Sequence, residues 1–184
     1  MDENRADAPQ GPLAVPPPGD GLVLREWTED DLPVMAELFD EPDVARRTPL
    51  ASPFDLAAAR AYLHRARRAQ EEGRALHLAV TLDGGRALGE VLLNRRTGGI
   101  GYAVGAAHRG RGLAARAVRL VVAHALGVAR LPRVVLEIEP DNHPSIAVAR
   151  AAGFRLTDAP PETVTDKGRT YTLLTWVREA AGTG

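Results

Sequence analysis

The stretch HRGRGLAARA, residues 108–117, sets two glycines and three arginines directly before a helical pattern. Glycine disfavours helix and neighbouring like charges repel, so the combination needs a purpose beyond starting a helix. The first turn of a helix leaves N–H groups without intrahelical partners, and the helix dipole adds positive potential there. Gly110 and Gly112, with no Cβ, let a bulky anion approach that backbone closely, and Arg109 and Arg111 add charge-assisted contacts. These residue types at this spacing describe a cradle for a diphosphate. Gly110, Gly112 and Ala115 also satisfy G-x-G-x-x-G/A, with Glu137 or Glu139 near the place of a ribose-binding acid. That dinucleotide fingerprint needs its glycine turn immediately after a strand in a parallel βαβ unit. Here GAAH separates Val104 from Arg109, and the strands before it read as antiparallel. A plain glycine turn ahead of a surface helix is the third reading.

The cradle needs a helix behind it. Leu113, Ala117, Leu120 and Val121 fall on one stripe, with Arg116 and Arg119 pointing away, which predicts a helix from about Gly112 to Leu126. Upstream, LVLREW at residues 22–27 alternates as a strand, and Thr28 with Asp31 forms a near capping box before Leu32, Met35 and Leu38. A second helix is capped by Ser52 or Asp55 and stopped by Gly73. Its Arg60, Arg65, Arg67 and Arg68 read as a solvated face paired with Glu71 and Glu72. ALHLAVTL and ALGEVLLN form a hairpin through Asp83, Gly84 and Gly85, and residues 99–104 continue the meander. A strand from Arg133, a short helix after Asn142 ended by Gly153, and closing strands at residues 154–156 and from Arg169 complete an α/β fold with a mixed sheet.

Composition narrows the class. At 184 residues, 45% apolar and 26% charged, the chain suits one globular domain, expected at residues 21–184. Residues 1–20, with prolines at 16–18, read as a disordered leader, and their acidic start without an apolar run is not that of a secretory signal. No apolar run approaches membrane-spanning length. The absence of cysteine excludes disulfides and thiolate zinc sites and points to a reducing compartment, so a cytoplasmic location is expected. A net charge of −1 offers no general field for nucleic acid or an anionic membrane.

YAVGAAHRGRGLA, with Arg109, Gly112 and Ala114 spaced as Q/R-x-x-G-x-G/A, resembles the acetyl-coenzyme A site of the GNAT superfamily of N-acetyltransferases. NHPSIAVARAAGF resembles its RimJ/RimL-like branch through Asn142, Ser145, Val148, Gly153 and Phe154, and order and spacing agree over residues 22–177. The resemblance implies a GNAT-like fold: a central, mostly antiparallel sheet flanked by helices, its fourth and fifth strands (residues 99–104 and 133–139) splayed around coenzyme A. It also implies that the backbone of Ala103 and Val104 pairs with pantetheine and that Arg109, Gly110, Arg111, Gly112, Leu113 and Ala114 hold the pyrophosphate. Asn142 would contact the pantetheine arm, and it also reads as a helix N-cap ahead of Pro144. The implied activity is direct transfer of acetyl from acetyl-coenzyme A to a primary amine, either a protein N-terminal α-amine or a small molecule. The choice between monomer and homodimer stays open.

Such a transfer needs a neutral amine against the carbonyl, a donor for the oxyanion and a proton for the departing thiolate. By the resemblance, a backbone N–H near residues 102–104 serves the oxyanion and Ser145 protonates the thiolate; Ser145 also reads as a small polar residue in a helix's first turn. Many relatives carry a glutamate early on the fourth strand, where this chain has Gly98 and Gly99. Glu90 on the third strand and Glu162 in the loop after Phe154 are the remaining candidate bases, acting through water, and each also reads as an exposed acid. A peptide α-amine, with a pKa of about 8, arrives partly neutral, which favours α-amines over lysines. The acceptor is expected between residues 40–54 and 157–167. Histidines 64, 77, 108, 124 and 143 lack metal-ligand spacing, so no metal is expected. The missing glutamate leaves a non-catalytic acyl-coenzyme A binding module as the alternative.

Overall fold

The computed structural model describes residues 12–181. Strand β1 (Val23–Glu26) leads into the capping box: the Thr28 N–H donates to Asp31 Oδ2 at 2.9 Å, and a single 3-10 turn passes into α1 (Leu32–Phe39). A short helix α2 (Pro42–Arg47) follows, opened by a proline that needs no N–H partner there. Helix α3 (Leu56–Glu71) is capped by Asp55, whose carboxylate accepts from the Ala58 N–H at 2.8 Å, and Gly73 stops it at φ +65°.

Strands β2 (Ala75–Thr81), β3 (Gly89–Asn94) and β4 (Ile100–Val104) follow as a meander, giving the antiparallel order β1-β2-β3-β4. After the cradle loop come α4 (Leu113–Gly127), β5 (Arg133–Ile138), α5 (His143–Ala151) and β6 (Arg155–Leu156). Strands β7 (Glu162–Asp166) and β8 (Arg169–Glu179) are the last regular elements among the described residues, with β8 pairing β5, β6 and β7 along its length. The two sheets meet at one bridge, where the Val135 N–H donates to Gly98 O at 2.9 Å. Beyond it β4 and β5 part, which is the expected splay.

Two cores flank the strands. Leu113, Ala117, Val118, Val121, Val122 and Ala125 of α4 pack on one face with Val134, Leu136 and Trp176. On the other face Met35, Phe39, Phe54, Tyr62 and Leu63 join α1 and α3 to Trp27 and Ala79. Burying both faces fixes the strand register, since a one-residue slip would turn polar side chains inward.

Three expectations change. Of the presumed leader, residues 1–11 lie outside the described residues. The stretch after them is built into the fold: Leu13 is buried in the α4 core, and Arg119 pairs with Asp20 at 2.7 Å while Arg116 Nε donates to the Asp20 carbonyl at 2.7 Å. The arginines expected to point away from the core thus hold the chain's approach to β1. Residues 157–167, taken as a loop, contain β7, turned back on β8 by Lys167 and Gly168 at φ +49° and +73°. Two adjacent positive φ values are what a tight two-residue hairpin turn needs. Within residues 40–54, α2 stands where no regular element was expected, because its single buried apolar residue, Val44, leaves no periodic stripe.

Candidate active site

The parting of β4 and β5 opens a cavity of about 560 Å³. Tyr102, Ala103 and Val104 form one bank; Asn142, Pro144, Ser145 and Val148 of α5 and its cap form the other. The cradle loop and the first turn of α4 close one end, and Asp43, Val44, Arg47 and Thr48 of α2 and its C-cap cover the mouth.

Each bank follows from local chemistry. On β4, the Gly105 N–H donates to Leu88 O at 3.1 Å and the Asn94 N–H to Gly99 O at 2.8 Å. Antiparallel alternation therefore turns the polar groups of Gly101 and Ala103 toward β3 and those of Tyr102 and Val104 toward the gap. Ala103, expected to pair with pantetheine, turns its backbone groups to β3; the backbone groups facing the gap are those of Tyr102 and Val104. Opposite, Asn142 caps α5 by accepting from the Ser145 N–H at 3.3 Å, and the Tyr102 hydroxyl reaches Ser145 O at 3.5 Å. Burial pushes the Tyr102 phenol up from its ordinary pKa.

The cradle has the predicted form. Gly112 is the N-cap of α4 at φ +69° and Gly110 sits at φ +74°, a region costly for other residues. A Cβ on Gly110 would meet nothing within 4 Å, so its glycine answers to backbone shape and open space, not to internal packing. The helix's first internal bond runs from the Arg116 N–H to Gly112 O at 3.1 Å, leaving the N–H groups of Leu113, Ala114 and Ala115 ahead of the ladder, at the cavity. These donors, the glycine opening and the gap between the strands fit a diphosphate with a narrow arm.

Two side chains depart from expectation. Arg111 is exposed and does not line the cavity. The Arg109 guanidinium turns to α2, pairing with Glu41 at 3.0 Å and Asp43 at 3.1 Å, while its Nε donates to Val104 O at 3.1 Å. Arg109 still lines the cavity, and Ala103, Val104, Gly110, Gly112, Leu113, Ala114 and Asn142, the other cofactor positions named from sequence, converge on it together with Ser145.

Neither candidate base reaches it. Glu90 is 4% exposed, not the surface acid its sequence context suggested, and its carboxylate accepts from Trp27 Nε1 at 3.0 Å and from the Tyr62 hydroxyl at 2.7 and 2.8 Å. Burial, with the Glu90 charge behind it, drives the Tyr62 phenol well above its ordinary pKa, so it stays a donor. Glu162 lies on β7, where it meets Glu137; burial and then the Glu162 charge raise the Glu137 pKa.

Sequence reasoning missed the α2 cover. Its Arg47 pairs with Glu139 at 3.2 Å and Asp141 at 2.7 Å across the β5 bank, and Lys167 donates to Ala45 O and Thr48 O at 2.8 and 2.9 Å. Arg169 also pairs with Glu139, which is buried between the two guanidiniums. The signal available was Pro42 followed by Asp43, a helix opening too short to show a period.

A curated relative, the uncharacterized N-acetyltransferase p20 of Bacillus licheniformis, is 25% identical over 140 residues, covering 73% of this chain and 79% of its own. The solved RimJ of Mycobacterium smegmatis in complex with CoA-disulfide superposes with a TM-score of 0.76 at 22% identity, over 93% of this chain and 87% of that one. RimL, a ribosomal L7/L12 alpha-N-protein acetyltransferase in complex with coenzyme A, gives 0.75 at 18% identity over 94% and 98%. The family description Acetyltransferase (GNAT) domain matches residues 21–155, spanning both banks of the cavity and its cradle. With splay, cradle and family match agreeing, the chain belongs to the GNAT acetyltransferases.

Proposed function

We propose that this protein transfers acetyl from acetyl-coenzyme A to a primary amine in a ternary complex, the acceptor being a protein N-terminal α-amine or a small-molecule amine. The observation that carries it is the row of unpaired N–H groups at Leu113, Ala114 and Ala115, opening on the gap between β4 and β5. In this reading they and the glycine turn hold the pyrophosphate, the backbone of Tyr102 and Val104 pairs with the pantetheine arm, and Asn142 faces it from α5.

The chemistry is positional. The amine lone pair attacks the thioester carbonyl, and the oxyanion accepts from a main-chain N–H on the gap edge of β4. The C–S bond breaks as the thiolate takes the Ser145 hydroxyl proton, and the proton shed by the acylated nitrogen passes through solvent to restore that hydroxyl. With Glu90 held by Trp27 and Tyr62, the amine arrives already neutral, which favours an α-amine, and RimL's activity on a protein α-amine supports that side of the choice. The cysteine-free chain suits a reducing compartment, and we read it as cytoplasmic.

The test is calorimetry with coenzyme A and NAD, followed by thiol release from acetyl-coenzyme A against a panel of peptides and small amines. Binding of coenzyme A alone with amine-dependent release is expected. Binding without acceptor-dependent release would leave only a binding module, and preference for NAD would overturn the assignment.

A further inference from the structure

We propose that Arg109 is a positioning residue for the acceptor wall and not a side-chain ligand of the pyrophosphate; this rests on the cofactor reading given above. Each of the three guanidinium nitrogens of Arg109 has a partner other than a phosphate, and so does its backbone N–H. Its guanidinium spans Glu41 and Asp43, 3.0 and 3.1 Å away, its Nε holds the Val104 carbonyl at the end of β4, and its backbone N–H closes the preceding 3-10 turn on Ala106 O at 3.3 Å. Glu41 is engaged from a second direction, accepting from the Ala106 N–H at 3.0 Å. One cation thus joins the gap edge of β4 to the opening of α2, whose Asp43 and Val44 face the cavity.

Geometry and charge both assign the residue. A short helix with one buried apolar residue has little packing of its own to fix it, so its place over the mouth depends on its ends. The far end is tied by Arg47 and Lys167, and the near end by Arg109 alone of the described side chains outside α2. Two carboxylates around one guanidinium also make a poor place for a diphosphate, whereas the open N–H groups of α4 lie clear of them. Losing Arg109 would leave the near end of α2 with the Ala106 N–H bond to Glu41 but no cation between Glu41 and Asp43, and so loosen the wall against which an amine is held.

The test compares Arg109→Ala, Arg109→Lys, Glu41→Ala and the Arg109→Ala/Glu41→Ala double variant. Readouts are coenzyme A affinity by calorimetry, amide exchange across residues 42–48, and transfer to spermidine and to a serine-initiated tetrapeptide. In Arg109→Ala, coenzyme A affinity is expected to stay within about threefold, α2 exchange to rise about tenfold or more, and the acceptor KM to rise with kcat little changed. Glu41→Ala should reproduce this, the double variant should add little, and Arg109→Lys should restore part of the protection. A loss of coenzyme A affinity of about tenfold in Arg109→Ala with α2 exchange unchanged would overturn the assignment, as would tighter coenzyme A binding in Glu41→Ala, which would mean that a freed Arg109 turns to the phosphates. Failure of the wild-type protein to bind coenzyme A would instead remove the cofactor reading, while the exchange comparison still decides whether Arg109 holds α2.

Discussion

The Tyr62 hydroxyl stands 2.8 and 2.7 Å from the two carboxylate oxygens of Glu90 and 2.8 Å from His77 Nδ1. One hydroxyl proton cannot serve both neighbours. As Tyr62 donates to the Glu90 carboxylate, its phenol oxygen is left to accept from His77, in the tautomer that carries the proton on Nδ1. Trp27 Nε1 completes the set, so α3, β2, β3 and the end of β1 are pinned by one polar cluster inside an aromatic core.

Tyr62→Phe should lower folding stability by about 1–3 kcal/mol, because it strips the buried Glu90 carboxylate of a donor and takes the phenol partner from the half-buried His77 Nδ1. Denaturant unfolding reads this. Glu90→Gln should leave the shape of the kcat–pH profile unaltered; disappearance of a kinetic ionisation in that variant would restore Glu90 as the base.

Asp31 gives the acid limb its sign. Burial pushes its pKa up, but hydrogen bonds from Arg25 and Thr28 outweigh this and hold it below the usual carboxylate range. A carboxyl depressed in the folded state stabilises above its unfolded pKa of about 4, and that stability is lost as pH falls through the folded value. Asp31→Asn should therefore cost about 1–2 kcal/mol at neutral pH and flatten the acid decline in Tm below about pH 4.

Gly112→Ala and Gly112→Glu separate strain from charge. Both put a side chain at φ +69°, costing about 1–2 kcal/mol. Only the glutamate also places a carboxylate at the N-terminus of α4, so coenzyme A affinity should fall by about a hundredfold or more in Gly112→Glu and far less in Gly112→Ala. Equal affinities in calorimetry would show that the diphosphate sits elsewhere.

Ser145→Ala removes the hydroxyl while keeping the N–H that Asn142 caps. If Ser145 protonates the thiolate, kcat should drop roughly tenfold or more with coenzyme A affinity nearly constant. A wild-type turnover number would leave Ser145 a structural residue of α5.

Much of this molecule was readable one segment at a time. Thr28 with Asp31, Asp55, Gly73, Gly112 and Asn142 with Gly153 mark helix ends because caps act within a few residues, and the cradle follows from two glycines before an amphipathic stripe. What escaped was short or non-periodic: the six residues of α2, and β7, whose turn at Lys167 and Gly168 carried the only local cue.

Residue partnership was a different matter. From the linear order, Arg109 belongs to the phosphate loop and Glu90 to a solvent-facing strand edge; in the fold Arg109 meets Glu41 across 68 positions and Glu90 meets Trp27 across 63. Caps and spacing settle where donors sit along the backbone, because those forces are local. The direction a charged side chain takes depends on which distant segment packs beside it, and only the closed arrangement of α2, α3 and the splayed strands supplies that neighbour.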